Sequence, residues 1–299
     1  MQADSGLSMV GTTREDVGRL VIACPDRPAI LAAVTSRLAA AGANIITFDQ
    51  FSSAPEGGRL YLRAEFLLKT LPDQIDDVRL RIEEIAEDFD MRWRLEPAAR
   101  RKRVAIFVSR YEHCLVDLLW RWRRGELHMD VVAVVSNHPD LEAEVTAFGV
   151  PYHHVPVTPD SKAQAEEREL HLLAGQLDLV VLARYMQVLS GDFLARVGAP
   201  VINIHHSSLP AFAGPAPYAR AHDRGVKLIG ATAHYATEDL DEGPIIEQDV
   251  RRVSHQADPE MLTMIGRDIE RTVLARAVHW HLEDRVLVHE NRTIVFSPG

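Results

Sequence analysis

Cysteine is almost missing from this chain: Cys24 and Cys114 are the whole supply, and they lie far apart in sequence. A disulfide framework is therefore excluded as the source of stability, and a reducing cytoplasm is the expected location. Long hydrophobic runs are missing as well. The apolar stretches are short and broken by charges, so no membrane span or membrane partner is expected. Residues 1–18 lack the basic start and apolar core of a signal peptide and read as a short disordered tail. Positive charge is in deficit, with 33 Lys and Arg against 43 Asp and Glu and a formal net charge of −10. Nucleic-acid binding depends on neutralising phosphates, so a DNA or tRNA partner is not expected. A small anionic molecule stays compatible, because one pocket can be basic inside an acidic protein. Metal-ligand spacing is also lacking. His153-His154 and His279-Trp280-His281 have no cysteine or carboxylate at ligand spacing, so no metal is expected. Trp93, Trp120 and Trp122 read as core or interface aromatics, and Cys114 as a buried structural thiol rather than a nucleophile.

What is present fits two soluble domains: 299 residues, 46% apolar and 25% charged. The polar, basic segment 96–103 has no apolar periodicity and reads as a linker. Before it, the pattern predicts βαββαβ. Residues 19–24 form an apolar strand, and a helix follows the Pro-Asp-Arg-Pro turn with Ile30, Val34, Leu38 and Ala41 on one face, stopped by Gly42. Residues 44–51 and 59–68 are two strands around a Gly-containing turn. Residues 75–89 are an acidic amphipathic helix, and 91–95 a closing strand. That order is ferredoxin-like. After the linker, residues 104–108, 131–136, 177–182 and 201–205 are continuous apolar runs, as expected of parallel strands buried on both faces, with helices at 114–123 and 165–174 between them. A doubly wound, mostly parallel α/β sheet is predicted. Two longer strands at 227–235 and 245–253, a long helix at 261–283 and a terminal hairpin at 286–296 complete it.

Two stretches carry chemistry. In residues 201–210, alternation along a strand puts Val201, Asn203 and His205 on one face and Ile202 and Ile204 on the other. Asn203 and His205 thus end a strand side by side, where an open α/β sheet binds ligands. An amide and an imidazole there can donate two hydrogen bonds to one oxyanion. In residues 230–246, Glu238, Asp239, Asp241 and Glu242 crowd together. Three read as a solvated turn. Asp241 lies between Leu240 and the Gly-Pro-Ile-Ile run, a partly apolar setting expected to raise its pKa and suit it to moving a proton.

Asn-x-His followed by Ser and Leu-Pro, then His234 with Asp-x-Gly-x-Ile-Ile beginning at Asp241, resembles the folate-dependent formyltransferase family over residues 102–299. The resemblance implies that Asn203, His205 and Asp241 are catalytic. It also implies that the segment 184–190, through Met186, Gln187, Val188 and Leu189, meets the folate with Thr237 and Leu240. The N-terminal unit, with Cys24-Pro25-Asp26-Arg27-Pro28, resembles an ACT domain. The expected organisation is thus an ACT-like domain at 17–95, serving regulation and oligomerisation, and a formyltransferase-like catalytic domain at 102–299. The branch that formylates glycinamide ribonucleotide cradles a phosphate on a Gly-rich turn after the first strand. Here no glycine occurs between Val104 and Arg124, which favours water as the acceptor. The paired His205-His206 and the string 225–235 point the same way. The implied reaction is hydrolysis of 10-formyltetrahydrofolate to formate and tetrahydrofolate, serving one-carbon and purine metabolism, with no cofactor beyond the folate substrate. The alternatives are transfer to a small amine and a non-catalytic folate or amino-acid sensor. ACT domains usually carry glycine after Asp-Arg-Pro; Ala29 stands there, which puts an amino-acid effector in doubt. A homo-oligomer is expected, because a four-stranded sheet with helices on one face leaves edges open.

Overall fold

The computed structural model describes residues 13–175, 177–207, 209 and 217–297. The tail expected at the N-terminus falls outside the described residues up to position 12, as do Ser208 and Pro210 of the Asn-x-His stretch. The chain divides into two compact units between Arg100 and Arg101.

The first unit runs β1 (Val17–Pro25), α1 (Ile30–Ala40), β2 (Asn44–Ser52), β3 (Arg59–Leu67), α2 (Leu71–Ala86) and β4 (Arg92–Pro97). Its sheet is antiparallel with order β2-β3-β1-β4. Alternation sends Leu20, Ile22 and Cys24 of β1 into one core with Leu60, Leu62 and Phe66 of β3. Ile30, Val34 and Leu38 of α1 and Leu71, Val78 and Ile82 of α2 close that core at helical spacing. This is the ferredoxin-like βαββαβ arrangement that the sequence predicts. Two boundaries differ. The second helix starts at Leu71, not 75: Thr70 takes a left-handed turn, Pro72 sits in the first helical turn, and Leu71 is fully buried. The basic stretch 96–103 is not a linker throughout. Glu96 and Pro97 complete β4, while Lys102 and Arg103 begin the next strand. Lys102 is buried, with Nζ 2.7 Å from Asp284 Oδ1 and 2.8 Å from the His281 carbonyl oxygen. A buried ion pair looks like solvated charge in a one-dimensional reading.

The second unit runs β5 (Lys102–Val108), α3 (His113–Arg123), β6 (Met129–Ser136), α4 (Glu142–Thr146), β7 (Tyr152–His154), α5 (Lys162–Leu173), β8 (Leu179–Leu182), α6 (Gly191–Arg196), β9 (Val201–His205), α7 (Pro217–Asp223), β10 (Leu228–Tyr235), β11 (Ile245–Arg252), α8 (Pro259–Leu282), β12 (Val286–His289) and β13 (Arg292–Val295). The seven-stranded sheet has order β11-β10-β9-β8-β5-β6-β7. The five strands from β9 to β7 are parallel, and β10 and β11 are antiparallel. Strand residues alternate between two cores. Val104, Ile106 and Val108 pack with Leu115 and Leu119 of α3 and Ile269 and Val273 of α8. Ala105 and Phe107 pack on the other side with Ala165 of α5 and Phe193 of α6. Burying one such side chain is worth about 1.5–3 kcal/mol, and the two-sided burial explains the unbroken apolar runs. From β5 the chain moves outward through β6 and β7, then returns to β8 and β9 on the other side. The switch point therefore lies between β5 and β8, and the crevice beyond their carboxyl ends is where such sheets hold ligands. No helix among the described residues is long and apolar enough to cross a membrane.

Candidate active site

Two neighbouring strands make the floor of the site. β9 ends with Asn203 and His205, and antiparallel β10 sets His234 opposite Asn203 and Thr232 opposite His205. Asn203 Nδ2 lies 3.2 Å from His234 Nε2. The other ring nitrogen, His234 Nδ1, is 3.0 Å from the Tyr235 carbonyl oxygen. A carbonyl only accepts, so Nδ1 carries hydrogen.

The loop after β10 returns Asp241 to this floor. Tyr235 N donates to Pro244 O at 3.0 Å, closing the loop's base. A Cβ on Gly243 would sit 1.8 Å from the Tyr235 carbonyl oxygen, so the return needs glycine. Asp241 itself is left-handed, with φ 59°. Its Oδ2 lies 3.1 Å from His205 Nδ1 and its Oδ1 3.5 Å from His234 Nε2. Burial works to raise the carboxyl pKa, but hydrogen bonds and charge from His205 and His234 outweigh it and hold the group well below the usual carboxylate range. The sequence expectation of a raised pKa is thus overturned. Leu240, offered as the apolar neighbour, is 63% exposed, and the groups facing Asp241 are two imidazoles. His205 is buried, and its Nε2 lies 2.9 Å from Ser207 Oγ.

The wall of the site is the segment 185–190. Tyr185 packs edge-on against Phe107 at 5.2 Å, and its hydroxyl donates to Glu169 Oε1 at 2.9 Å. Ser190 N and Oγ donate to Glu166 at 2.9 and 2.6 Å, and Ser190 Oγ in turn caps α6 by accepting from Phe193 N. Met186 N donates to Ser109 Oγ. With both ends pinned, Met186 and Val188 stay about half exposed around a cleft of about 330 Å³. Exposed apolar side chains around a polar floor are the usual make-up of a small-molecule site. Burial pushes the Glu169 carboxyl up to about 7 against the lowering by its Tyr185 hydrogen bond.

All nine residues singled out by the sequence line this one cleft: Asn203, His205, Asp241, Met186, Gln187, Val188, Leu189, Thr237 and Leu240. Thr237 spends its hydroxyl locally, donating to the Asp239 carbonyl oxygen at 3.0 Å. His234, Arg184 and His206 line the cleft too but were not singled out as site residues. His234 stands within the quoted motif, yet its role depends on antiparallel pairing with β9, which the alternation of apolar residues does not reveal. Among the described residues, the group able to bring three ligand atoms together is His113, Cys114 and Glu270, not the histidine pairs at 153–154 and 279–281. Burial pushes the Cys114 thiol well up, as suits a structural cysteine.

Comparison with known proteins places this geometry among relatives. Residues 102–278 match the formyl transferase family. The formyltetrahydrofolate deformylase of Mycobacterium tuberculosis is 59% identical over 282 residues, 94% of this chain and 91% of that protein. The crystal structure of a formyltetrahydrofolate deformylase from Pseudomonas syringae superposes with TM-score 0.90 at 49% identity, covering 94% of both chains. Glycinamide ribonucleotide transformylase 1 from Symbiobacterium toebii aligns with TM-score 0.61 at 28% identity, covering 66% of this chain and 95% of that one.

Proposed function

The chain belongs to the formyl transferase family, and from that premise we propose that it hydrolyses 10-formyltetrahydrofolate to formate and tetrahydrofolate. One observation carries the reading. The deformylase relative matches 94% of the chain, whereas the transformylase neighbour matches 66%. Water is the acceptor, not a phosphate-bearing amine.

The reaction follows from the floor of the cleft. Water attacks the formyl carbon and a carbon–oxygen bond forms, with negative charge gathering on the former carbonyl oxygen. The Asn203 amide and a protonated His205 donate to that oxygen; one such donor is worth about 10²–10³ in turnover. Asp241 stays ionised between His205 and His234, supports charge on His205, and with it relays a water proton to N10. The C–N10 bond breaks as N10 takes that proton, and the second water proton leaves as the product ionises to formate. The wall 185–190, with Thr237 and Leu240, receives the pterin end of the folate, and no further cofactor takes part. Formate release from 10-formyltetrahydrofolate without any added amine tests the whole reading. Release that requires an amine would make the chain a transferase, and folate binding with no turnover would make it a sensor.

The first unit serves as an ACT-like assembly domain. Edge strand β2 exposes Ile46 and Phe51, which a second copy would cover. Light scattering that finds a monomer removes this part. An amino-acid effector site near Ala29 is compromised, since Ala29 holds φ 73° with a methyl group where glycine usually stands. Both cysteines are free and buried, which suits the cytoplasm.

A further inference from the structure

The hydrolytic scheme leaves one sequence feature unused, the second imidazole of the His205-His206 pair. The two rings stack, with centroids 4.7 Å apart and planes 20° apart. His206 Nδ1 lies 2.8 Å from Arg184 Nη1. A guanidinium only donates, so Nδ1 accepts and the neutral ring carries its hydrogen on Nε2, which has no hydrogen-bond partner among the described residues.

Arg184 is itself an unusual residue. It follows β8 at the switch-point crevice with φ 64°, a left-handed conformation that is strained for a non-glycine residue. Its side chain is 11% exposed. Besides His206 it faces Glu270, with Nε 3.4 Å from Oε2, an ion pair in which Nε makes no hydrogen bond among the described residues. It also lies over the Tyr111 ring at 5.2 Å. Glu270 is held in turn by His113 Nε2 at 2.7 Å and by the Tyr218 hydroxyl at 2.7 Å. The guanidinium is therefore braced from α8, and its fork reaches His206 and Glu270 together, which a lysine ammonium would not reproduce. Backbone strain persists where surrounding contacts over-determine it.

We propose that Arg184 is a positioning residue for the hydrolysis: acting through His206, it holds the His205 ring against Asp241 and keeps the ring stacked on it uncharged. The proposal rests on the hydrolytic reading. Charge on His206 would set a second cation against His205, competing with the protonation that the oxyanion requires. The charged groups facing His206 are Arg184 after β8, His205 on β9, Glu270 on α8 and Asp241 after β10. Burial, then the charges of Arg184 and His205, push His206 down to about 4 against the two carboxylates.

The test is formate release by the full-length protein across pH, without amine, for wild type, Arg184→Gly, His206→Ala and the double variant. Wild-type protein that releases no formate removes the hydrolytic reading and this proposal together. With wild-type turnover in hand, Arg184→Gly should lose about 10- to 100-fold in kcat while KM for the folate stays within about twofold. Its acid limb should move from near pH 4 toward the ordinary histidine value of about 6.5, and added guanidinium should restore part of the rate. The double variant should be no slower than His206→Ala, since one residue acts through the other. Unchanged kcat and acid limb in Arg184→Gly, or losses that multiply in the double variant, overturn the proposal. Should Arg184→Gly not fold, nitrogen NMR of the wild type decides. A neutral Nε2–H ring at pH 6 supports the role, and a charged or Nδ1–H ring rules it out.

Discussion

The floor of the cleft holds a partly buried carboxylate and the wall is backed by a fully buried one, and the two end in opposite states. Asp241 on the floor is pulled far down because two imidazoles face it. Glu169 behind the wall is pushed up to about 7 by burial, which the single hydrogen bond from the Tyr185 phenol does not offset. Burial raises both, more at Glu169, and only at Asp241 do facing imidazoles reverse it. The charged acid sits where the reaction develops charge. The acid that ionises with difficulty sits behind a segment without regular secondary structure, residues 185–190, and anchors it through Tyr185. Acid–base roles in one pocket are separated by such contrasts.

The comparison breaks most severely at Asp241. Asp241→Asn keeps the shape but removes the charge between His205 and His234, and kcat for formate release should fall by about 10³-fold or more, with folate still bound by equilibrium titration. Wild-type-like turnover in a folded Asp241→Asn protein would deny the floor its role. His234→Ala should act more mildly. It removes one of the two groups that hold Asp241 ionised and the ring that lies against the Asn203 amide. A loss of about 10- to 100-fold in kcat is expected. Because the Asp241 pKa then rises, its carboxyl should take up a proton at higher pH than in wild type, as carbon NMR of the labelled side chain would read. An unmoved Asp241 titration would show that His205 alone sets the charge.

Glu169→Gln should have the smallest effect, and on stability rather than rate. The folded-state pKa of Glu169, about 7, lies above the unfolded value near 4.3. The folded protein therefore holds a proton that the unfolded chain has lost, and stability falls as pH rises from about 4.3 to about 7. Glutamine imitates the protonated acid and still accepts from Tyr185. The variant should melt higher than wild type at pH 8 and nearly equally at pH 4, with kcat little changed. A variant that melts lower at pH 8 would mean that the ionised carboxylate supports the wall.

The polar and apolar patterning was enough to read the core strands of both sheets, which must alternate or run apolar to bury their faces, but not the three-residue edge strand β7. Val201–His205 announced a buried strand ending in two polar groups, and the spacing from His234 to Asp241 carried the family likeness. Missed features share one cause: they depend on neighbours remote in sequence. Lys102 looked like linker charge because Asp284, its partner, lies near the other end of the chain. Asp241 looked like an acid in an apolar setting because the histidines facing it come from two other segments.

By itself, then, the amino-acid order determined the long secondary elements, their assignment to two kinds of sheet and the residue types at the end of β9. These follow from local backbone preference and side-chain period. Tertiary structure decided the ionisation of Asp241, the entry of His234 into the site and the bond between Arg184 and His206. Charge and hydrogen bonding act through a few ångströms of space, and antiparallel pairing of β9 with β10 and the left-handed turns at Arg184 and Asp241 supply those distances.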